Sequence, residues 1–286
     1  MVIGLGEIGY HNCEYLTQHR FAVDGYDINQ KAIKHALTTE VIQKKATTFK
    51  GYDYYIICVS THNPKNILQP SLSGFFEVIQ RLAKEGNYGS LVAIESTITK
   101  GTSQKAINIL NHRLHVAHVP HRFYCDDKIV HGINQIRVLG GCYNCCTAEA
   151  LYFYENLLDI PMRVVNKVEL AELSKIIENS YRFLQIAFAE ELKIFCDLNK
   201  LNFTELREAI NTKWNIQLLD AQQGIGGHCL PKDSQMYLDL LNKNLPSTII
   251  GSAIQSDKNY KQHNQNLVDF EPIRPHSTIK LKRKAF

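Results

Sequence analysis

Met1-Val-Ile-Gly4-Leu-Gly6-Glu-Ile-Gly9 opens the chain: a short β-forming run, a Gly-x-Gly-x-x-Gly turn, then a helix-forming stretch over Tyr10–His19. In that context each glycine has its own reason. Gly4 permits the tight turn, Gly6 lets the backbone approach a pyrophosphate, and Gly9 lets the helix pack closely on the sheet. The helix N-terminus offers unpaired N–H groups and a positive dipole end to phosphates. Asp27 ends the second strand-like run, Ala22–Tyr26, where a carboxylate binds adenosine ribose hydroxyls. Ile28, Asn29 and Gln30 follow it rather than an arginine, so a 2′-phosphate would meet an unpaired negative charge and NAD is preferred over NADP. Only Met1, Val2 and Ile3 precede Gly4, an unusually short first strand that implies either a misplaced start codon or a frayed strand.

Working outward, strand-like and helix-like runs alternate through the first half. Tyr54–Val59, Leu91–Glu95, Leu114–His118 and Gln135–Gly140 read as further strands from their β-branched and aromatic content and turn-forming flanks. Gln30–Thr38 and Leu72–Lys84 read as helices between them. This alternation predicts an α/β fold, a Rossmann-type doubly wound parallel sheet covered on both faces, over residues 1–150. Near Leu151 the pattern changes. Apolar residues recur at helical spacing from about Lys167 to Lys200 without a proline, predicting one long central helix in which Ile176, Ile177, Tyr181 and Phe188 are core. Phe203–Thr212 and Ser234–Asn242 predict further helices of an all-helical middle domain over 151–262. Residues 263–286 mix Asn, Gln, Pro, Lys and Arg and read as a disordered basic tail.

Composition narrows the function classes. The formal charge of the 286 residues is +4, and much of the excess sits in Lys280-Leu-Lys282-Arg283-Lys284, so no nucleic-acid partner is expected. No run approaches the roughly 20 apolar residues that cross a bilayer, and Met1–Gly9 lacks a signal-peptide layout; the expected compartment is the cytoplasm, without a membrane partner. Eight cysteines, among them Cys13, Cys58, Cys125 and Cys196, are not spaced as a disulfide framework, which fits a reducing compartment. Cys142-Tyr-Asn-Cys145-Cys146 is a cluster to test for metal. With no second pair at zinc-finger spacing and only His131 nearby, it reads as small residues at a helix start, and no metal is expected.

The chemistry-bearing residues lie downstream. Gly226-Gly227-His228-Cys229 reads as a loop between helices, its glycines allowing a ligand close and its cysteine followed by Lys232 and Asp233. A thiolate is the nucleophile, and nearby positive charge favours it. Lys175 and Asn179, four residues apart on the long helix, leave the same face with Glu172 a turn earlier, and can stabilise charge developing on an oxygen. A solvated Lys–Asn pair and a buried apolar cysteine are the plainer readings of the same residues.

Together these residues resemble the UDP-glucose/GDP-mannose dehydrogenase family of nucleotide-sugar dehydrogenases. The matching segments are Gly4–Gly9, Asp27, Ile57–Thr61, Glu95-Ser96-Thr97 through Gly101-Thr102, Glu172–Asn179, Ala187–Leu192 and Gly226–Asp233, in order over most of residues 1–255. The resemblance implies oxidation of a sugar C6 alcohol to a carboxylate with two NAD used in turn, through a thioester on Cys229. It implies Lys175 and Asn179 at the oxyanion, Asp233 and Thr97 about a water, and Glu7, Ile8, Ser60, Thr61, Ser96 and Thr97 beside the cofactor with the glycines. Gly226, Gly227 and Arg122 are implied for substrate contact, and a homodimer through the long helix. The Gly-Gly-His-Cys form favours a UDP-N-acetylhexosamine over UDP-glucose, in polysaccharide biosynthesis.

The chain departs from the family pattern twice. Members are usually longer, with a second nucleotide-gripping domain, whereas here the sequence stops soon after Ile249–Tyr260; the expectation is a chain lacking the C-terminal UDP-binding domain. Where the family places a glutamate that assists thioester hydrolysis, Val119-Pro-His121-Arg122-Phe123 has His121, and a neutral imidazole can act as a base near neutral pH. Two other readings stay open: a two-electron β-hydroxyacid dehydrogenase, which also carries Lys-x-x-x-Asn, and a non-catalytic NAD-binding remnant.

Overall fold

The computed structural model describes residues 1–270 apart from 64, 125, 126, 128–130, 242–244 and 246. In chain order the elements are β1 (Val2–Ile3), α1 (Glu7–Gln18), β2 (Asp24–Tyr26), α2 (Gln30–Thr38), β3 (Lys44–Lys45), β4 (Tyr54–Ile57), β5 (His62–Asn63) and β6 (Asn66–Pro70). Then follow α3 (Ser73–Glu85), β7 (Leu91–Ile94), α4 (Thr102–Ile109), β8 (His115–His118), β9 (Arg137–Gly141) and α5 (Asn144–Leu151), which runs into a π-helical turn over Tyr152–Leu157. β10 (Met162–Val164), α6 (Val168–Leu198), α7 (Phe203–Asn211), α8 (Cys229–Leu241) and α9 (Ile249–Phe270) complete the chain.

Eight strands form one sheet in the order β10-β9-β8-β7-β4-β1-β2-β3, and β5 pairs with β6 in a separate hairpin. The doubly wound α/β fold expected from the alternation is present. It differs at one edge: β9 runs antiparallel to β8, and β10 then adds parallel to β9. The sheet therefore continues past residue 150, because reversal at β9 leaves an open edge that β10 covers.

β1 is short but not frayed. It lies mid-sheet between β2 and β4, with Val2 and Ile3 fully buried. Ile56 N donates to the Met1 carbonyl at 3.0 Å, so the ladder is intact from the first residue. Two apolar clusters sandwich the sheet: Leu5, Cys13, Leu16, Ile33 and Phe153 belong to one, and Ile3, Phe49, Phe75, Leu82 and Ile107 to the other. That is the consequence of strands buried on both faces.

By contacts the chain forms two compact units, Met1–Arg182 with Gly227–Pro246, and Phe183–Gly226 with Ser247–Phe286. The first holds the sheet, the start of α6 and α8. In the second, Tyr260 Oη donates to the Gln222 carbonyl at 2.7 Å and Lys261 Nζ to that of Ile225 at 2.8 Å, fastening the glycine-rich segment to α9. The long helix spans Val168–Leu198, close to the expected run. Ile176 is buried, but Ile177, Tyr181 and Phe188 are exposed rather than core, because the apolar residues wrap more of the helix than its neighbours cover. Helix α9 extends through residue 270, so 263–270 is helical where a tail was expected. Residues 271–286, with the basic run, and Cys125 lie outside the described residues.

Candidate active site

The glycine turn has the geometry its spacing calls for. Gly4 sits at φ +92°, and a Cβ there would lie 2.6 Å from the Cys58 carbonyl oxygen at the end of β4. A Cβ on Gly9 would come within 1.7 Å of the Gly4 oxygen, so α1 can approach β1 only with glycine. A Cβ on Gly6 would meet nothing within 4 Å: this glycine faces open space, where a phosphate can approach the backbone. No side chain caps α1, which leaves the first-turn amides at Glu7 and Ile8 available. Asp27 accepts from Leu5 N at 2.6 Å and from Asn29 N at 2.7 Å. Its carboxylate thereby braces the glycine turn, and each oxygen keeps a lone pair for a ribose hydroxyl. These residues fit a dinucleotide.

The ends of β4 and β7 meet this turn. Thr61 Oγ1 donates to the Thr97 carbonyl at 2.6 Å, and Ser96 Oγ to the Val59 carbonyl at 2.8 Å. Both hydroxyls thus fix backbone at the strand ends, while Ser60 is exposed and lies 2.8 Å from His62 Nδ1.

Beneath them lies a fully buried ion pair. Glu95 accepts from Arg137 Nη1 at 2.9 Å, Tyr154 Oη at 2.6 Å and Asn12 Nδ2 at 2.6 Å. His121 belongs to this interior cluster. Its Nδ1 accepts from Phe123 N at 3.1 Å, and its Nε2 lies 3.3 Å from Glu95 Oε2 without hydrogen-bond alignment. Burial, with Arg137 and Lys175 nearby, holds its pKa well below the usual imidazole value. The ring is neutral with its Nδ1 lone pair taken, so the geometry does not give His121 a free base for water. Arg122 is committed too: it pairs with Glu178 and donates to the Ile136 carbonyl at 3.1 Å.

Around Cys229 the structure adds what spacing left out. Cys229 is the first residue of α8, not part of a loop, and Pro231 is accommodated in the first turn, where its missing N–H costs nothing. Asn179 Nδ2 donates to Asp233 Oδ2 at 2.5 Å, and Lys232 Nζ donates to Asp233 Oδ1 at 2.6 Å. Asp233 and Lys232 are both buried, so the charges compensate each other and Asp233 holds the Asn179 amide in place. Lys175 is half-buried, and its charge acts on both the Cys229 thiol and the His121 ring. His228 Nε2 lies 3.6 Å from Cys229 Sγ, and the His62 ring is 5.5 Å from that of His228.

The thiol is not pre-ionised. Desolvation by the surrounding protein, then Asp233, pushes its pKa above the ordinary thiol value, against the opposing pull of Lys175 and Lys232. The expected activation by the Lys-Asp pair is therefore outweighed, first by desolvation and then by Asp233, against which Lys175 and Lys232 pull only in part. A proton acceptor is needed, and His228 is placed to be one. Sequence reasoning passed over His228, although its adjacency to the cysteine was the available signal.

Glu172 turns out to be a cap. It accepts from Gly101 N at 2.5 Å and Ser103 N at 2.7 Å, closing the N-terminus of α4 from α6. Gly226 and Gly227 are exposed, Gly227 at φ +69°, and a Cβ on either would meet nothing within 4 Å. Thr97 is half-buried at the end of β7. No helix among the described residues is long and apolar enough to cross a membrane, and their cysteines are all free.

Residues 169–259 match the family model described as UDP-glucose/GDP-mannose dehydrogenase family, central domain. The UDP-N-acetyl-D-mannosamine dehydrogenase of Methanococcus maripaludis is 26% identical over 88% of this chain and 67% of its own length. That of Pyrococcus horikoshii is 29% identical over 83% of this chain and 63% of its own. The solved structure of UDP-D-ManNAc dehydrogenase from Pyrococcus horikoshii superposes with a TM-score of 0.82 and 26% identity over 94% of this chain and 71% of that one. The chain thus spans about two thirds of the length of the curated relatives it matches.

Proposed function

We propose that this chain, of which residues 169–259 match the central-domain model of the UDP-glucose/GDP-mannose dehydrogenase family, is an NAD-dependent nucleotide-sugar 6-dehydrogenase. It oxidises the C6 alcohol of a UDP-sugar, a UDP-N-acetylhexosamine ahead of UDP-glucose, to the uronate. The observation that carries the reading is Cys229 at the head of α8 with His228 at 3.6 Å and the Asn179–Asp233–Lys232 array beside it.

When bound, NAD would be held by Gly4, Gly6, Gly9 and Asp27 with the amides of Glu7 and Ile8, and two NAD molecules in turn would each accept one hydride. The protein's own part is to hold and move protons and charge. The C6 hydroxyl proton passes to solvent water, Lys175 stabilises the alkoxide, and loss of the first hydride gives the aldehyde. His228 takes the Cys229 proton as sulfur bonds to the aldehyde carbon, giving a thiohemiacetal. Loss of a second hydride leaves the thioester, and water then replaces sulfur at the acyl carbon, returning the thiol and releasing the acid. One N–H of Asn179 is fixed by Asp233, which orients the other toward the developing oxyanion. With His121 sealed in the Glu95 cluster, Thr97 and Asp233 remain the residues proposed to hold the attacking water, although the Asp233 oxygens already accept from Asn179 and Lys232.

Residues Leu170, Ile177, Tyr181, Phe188 and Phe195 are exposed at near-heptad spacing along α6, which supports a homodimer through this helix. A cytoplasmic setting fits free cysteines. The test is NADH formation against a panel of UDP-sugars with wild type and Cys229→Ala. Acid formation abolished by the substitution is expected. Full activity of Cys229→Ala would sink the thioester route in favour of a two-electron dehydrogenase, and intact NAD binding without turnover of any sugar would favour the NAD-binding remnant.

A further inference from the structure

We propose that His112, His115, Cys145 and Cys146 form a zinc-binding site on the edge of the sheet away from the glycine turn. One ligand atom from each lies within 4.8 Å of the other three. His112 sits in the turn after α4 and His115 begins β8, while Cys145 and Cys146 are in the first turn of α5. The two pairs are about thirty residues apart and meet only because β9 runs back along β8. β8 is parallel to β7, so its first residue marks the N-terminal edge of the strands, opposite the edge that carries Cys58, Ser96 and Thr97.

The distances suit a tetrahedral ion. Zinc with sulfur at about 2.3 Å and nitrogen at about 2.0–2.1 Å sets sulfur–nitrogen neighbours about 3.5 Å apart. His112 Nε2 lies 3.4 Å from Cys145 Sγ and 3.8 Å from Cys146 Sγ. A mixed two-nitrogen, two-sulfur set is the chemistry of closed structural zinc sites rather than of magnesium or calcium.

Three local features agree. Among the described residues the buried Nδ1 of His115 has no hydrogen-bond partner, an unusual state for a buried ring nitrogen. Asn111 and His112 both adopt left-handed backbone, φ 48° and 49°, which turns the chain back toward α5, and Tyr143 stacks on the His112 ring at 4.4 Å. Cys142, the remaining cysteine of the cluster, instead reaches the Ser103 carbonyl at 3.5 Å and stays outside the set. An ion here would pin the α4–β8 turn to the start of α5, a structural role away from the reacting residues.

The experiment uses the full chain, stripped with a chelator under a thiol reductant and titrated with Co2+, then Zn2+. One equivalent of Co2+ is expected, with the intense d–d absorption of a tetrahedral site and a thiolate charge-transfer band, displaced by Zn2+. His112→Ala with Cys145→Ser alters two exposed residues, and circular dichroism checks that its fold is kept. It should lose the stoichiometric tetrahedral species, while Cys229→Ser keeps the equivalent. Absence of a stoichiometric tetrahedral species in wild type, its survival in the double variant, or its loss in Cys229→Ser would each overturn the proposal.

Discussion

Glu190 offers a quantitative test of how burial acts in this fold. Its side chain is fully buried in the second half of α6, and among the described residues neither carboxyl oxygen has a hydrogen-bond partner. Asp257 nearby is already satisfied by Lys261 at 2.8 Å and Ile225 N at 2.8 Å, so it adds negative potential that Lys261 only partly offsets. Burial first, then Asp257, raises the Glu190 pKa to about 7 from the ordinary carboxyl value of 4.5. The unfolded chain releases this proton near the ordinary value, whereas the folded chain retains it until about pH 7. Between those limits the native state binds more protons, so stability falls as pH rises and levels off above the folded value. The shift corresponds to about 3 kcal/mol at roughly 1.4 kcal/mol per pKa unit. Glu190→Gln keeps the shape and cannot ionise, so its polar desolvation cost does not vary with pH. Chemical denaturation of both proteins should show the variant gaining about 2–3 kcal/mol on wild type between about pH 5 and pH 8. Parallel pH profiles with a constant offset would falsify the assignment of a buried, protonated Glu190.

Other perturbations separate folding from ligand binding. Gly6→Ala places a methyl in open space and should leave the melting temperature within about 2 °C while lowering NAD affinity at least about tenfold. Gly9→Ala drives a methyl into the Gly4 carbonyl and should destabilise by about 3 kcal/mol or more; calorimetry and NAD titration on the two variants distinguish them. Removing the cap in Glu172→Ala strands the Gly101 and Ser103 amides and should cost about 2–4 kcal/mol, read by urea unfolding. Because the Cys229 pKa is raised, less thiolate is present at neutral pH than in a free cysteine. Alkylation by iodoacetamide should therefore be slow near neutral pH and still rise through the ordinary thiol range, and an early plateau below it would contradict the direction.

Much of the nucleotide-binding half was legible because its signals are local. A strand, a turn that needs positive φ at Gly4 and a helix that needs no Cβ at Gly9 occupy nine consecutive residues, and the 3.6-residue period of α6 needs no knowledge of its neighbours. The reversal of β9 and the addition of β10 were not legible, since strand direction depends on which edge remains open. Nor were the partners of the charged groups. Spacing put Lys175 and Asn179 on one face, but only packing showed Asn179 held by Asp233, Glu172 spent as a cap, Arg122 spent on Glu178, and His121 enclosed with Glu95 and Arg137. The Cys145–Cys146 pair lacked nearby ligands in sequence and acquired two histidines through an antiparallel strand pairing. What the sequence determined by itself was backbone conformation and residue chemistry, which act over a few residues. What tertiary structure decided was the pairing and desolvation of side chains, because burial and charge at each site are set by groups tens to over a hundred residues away.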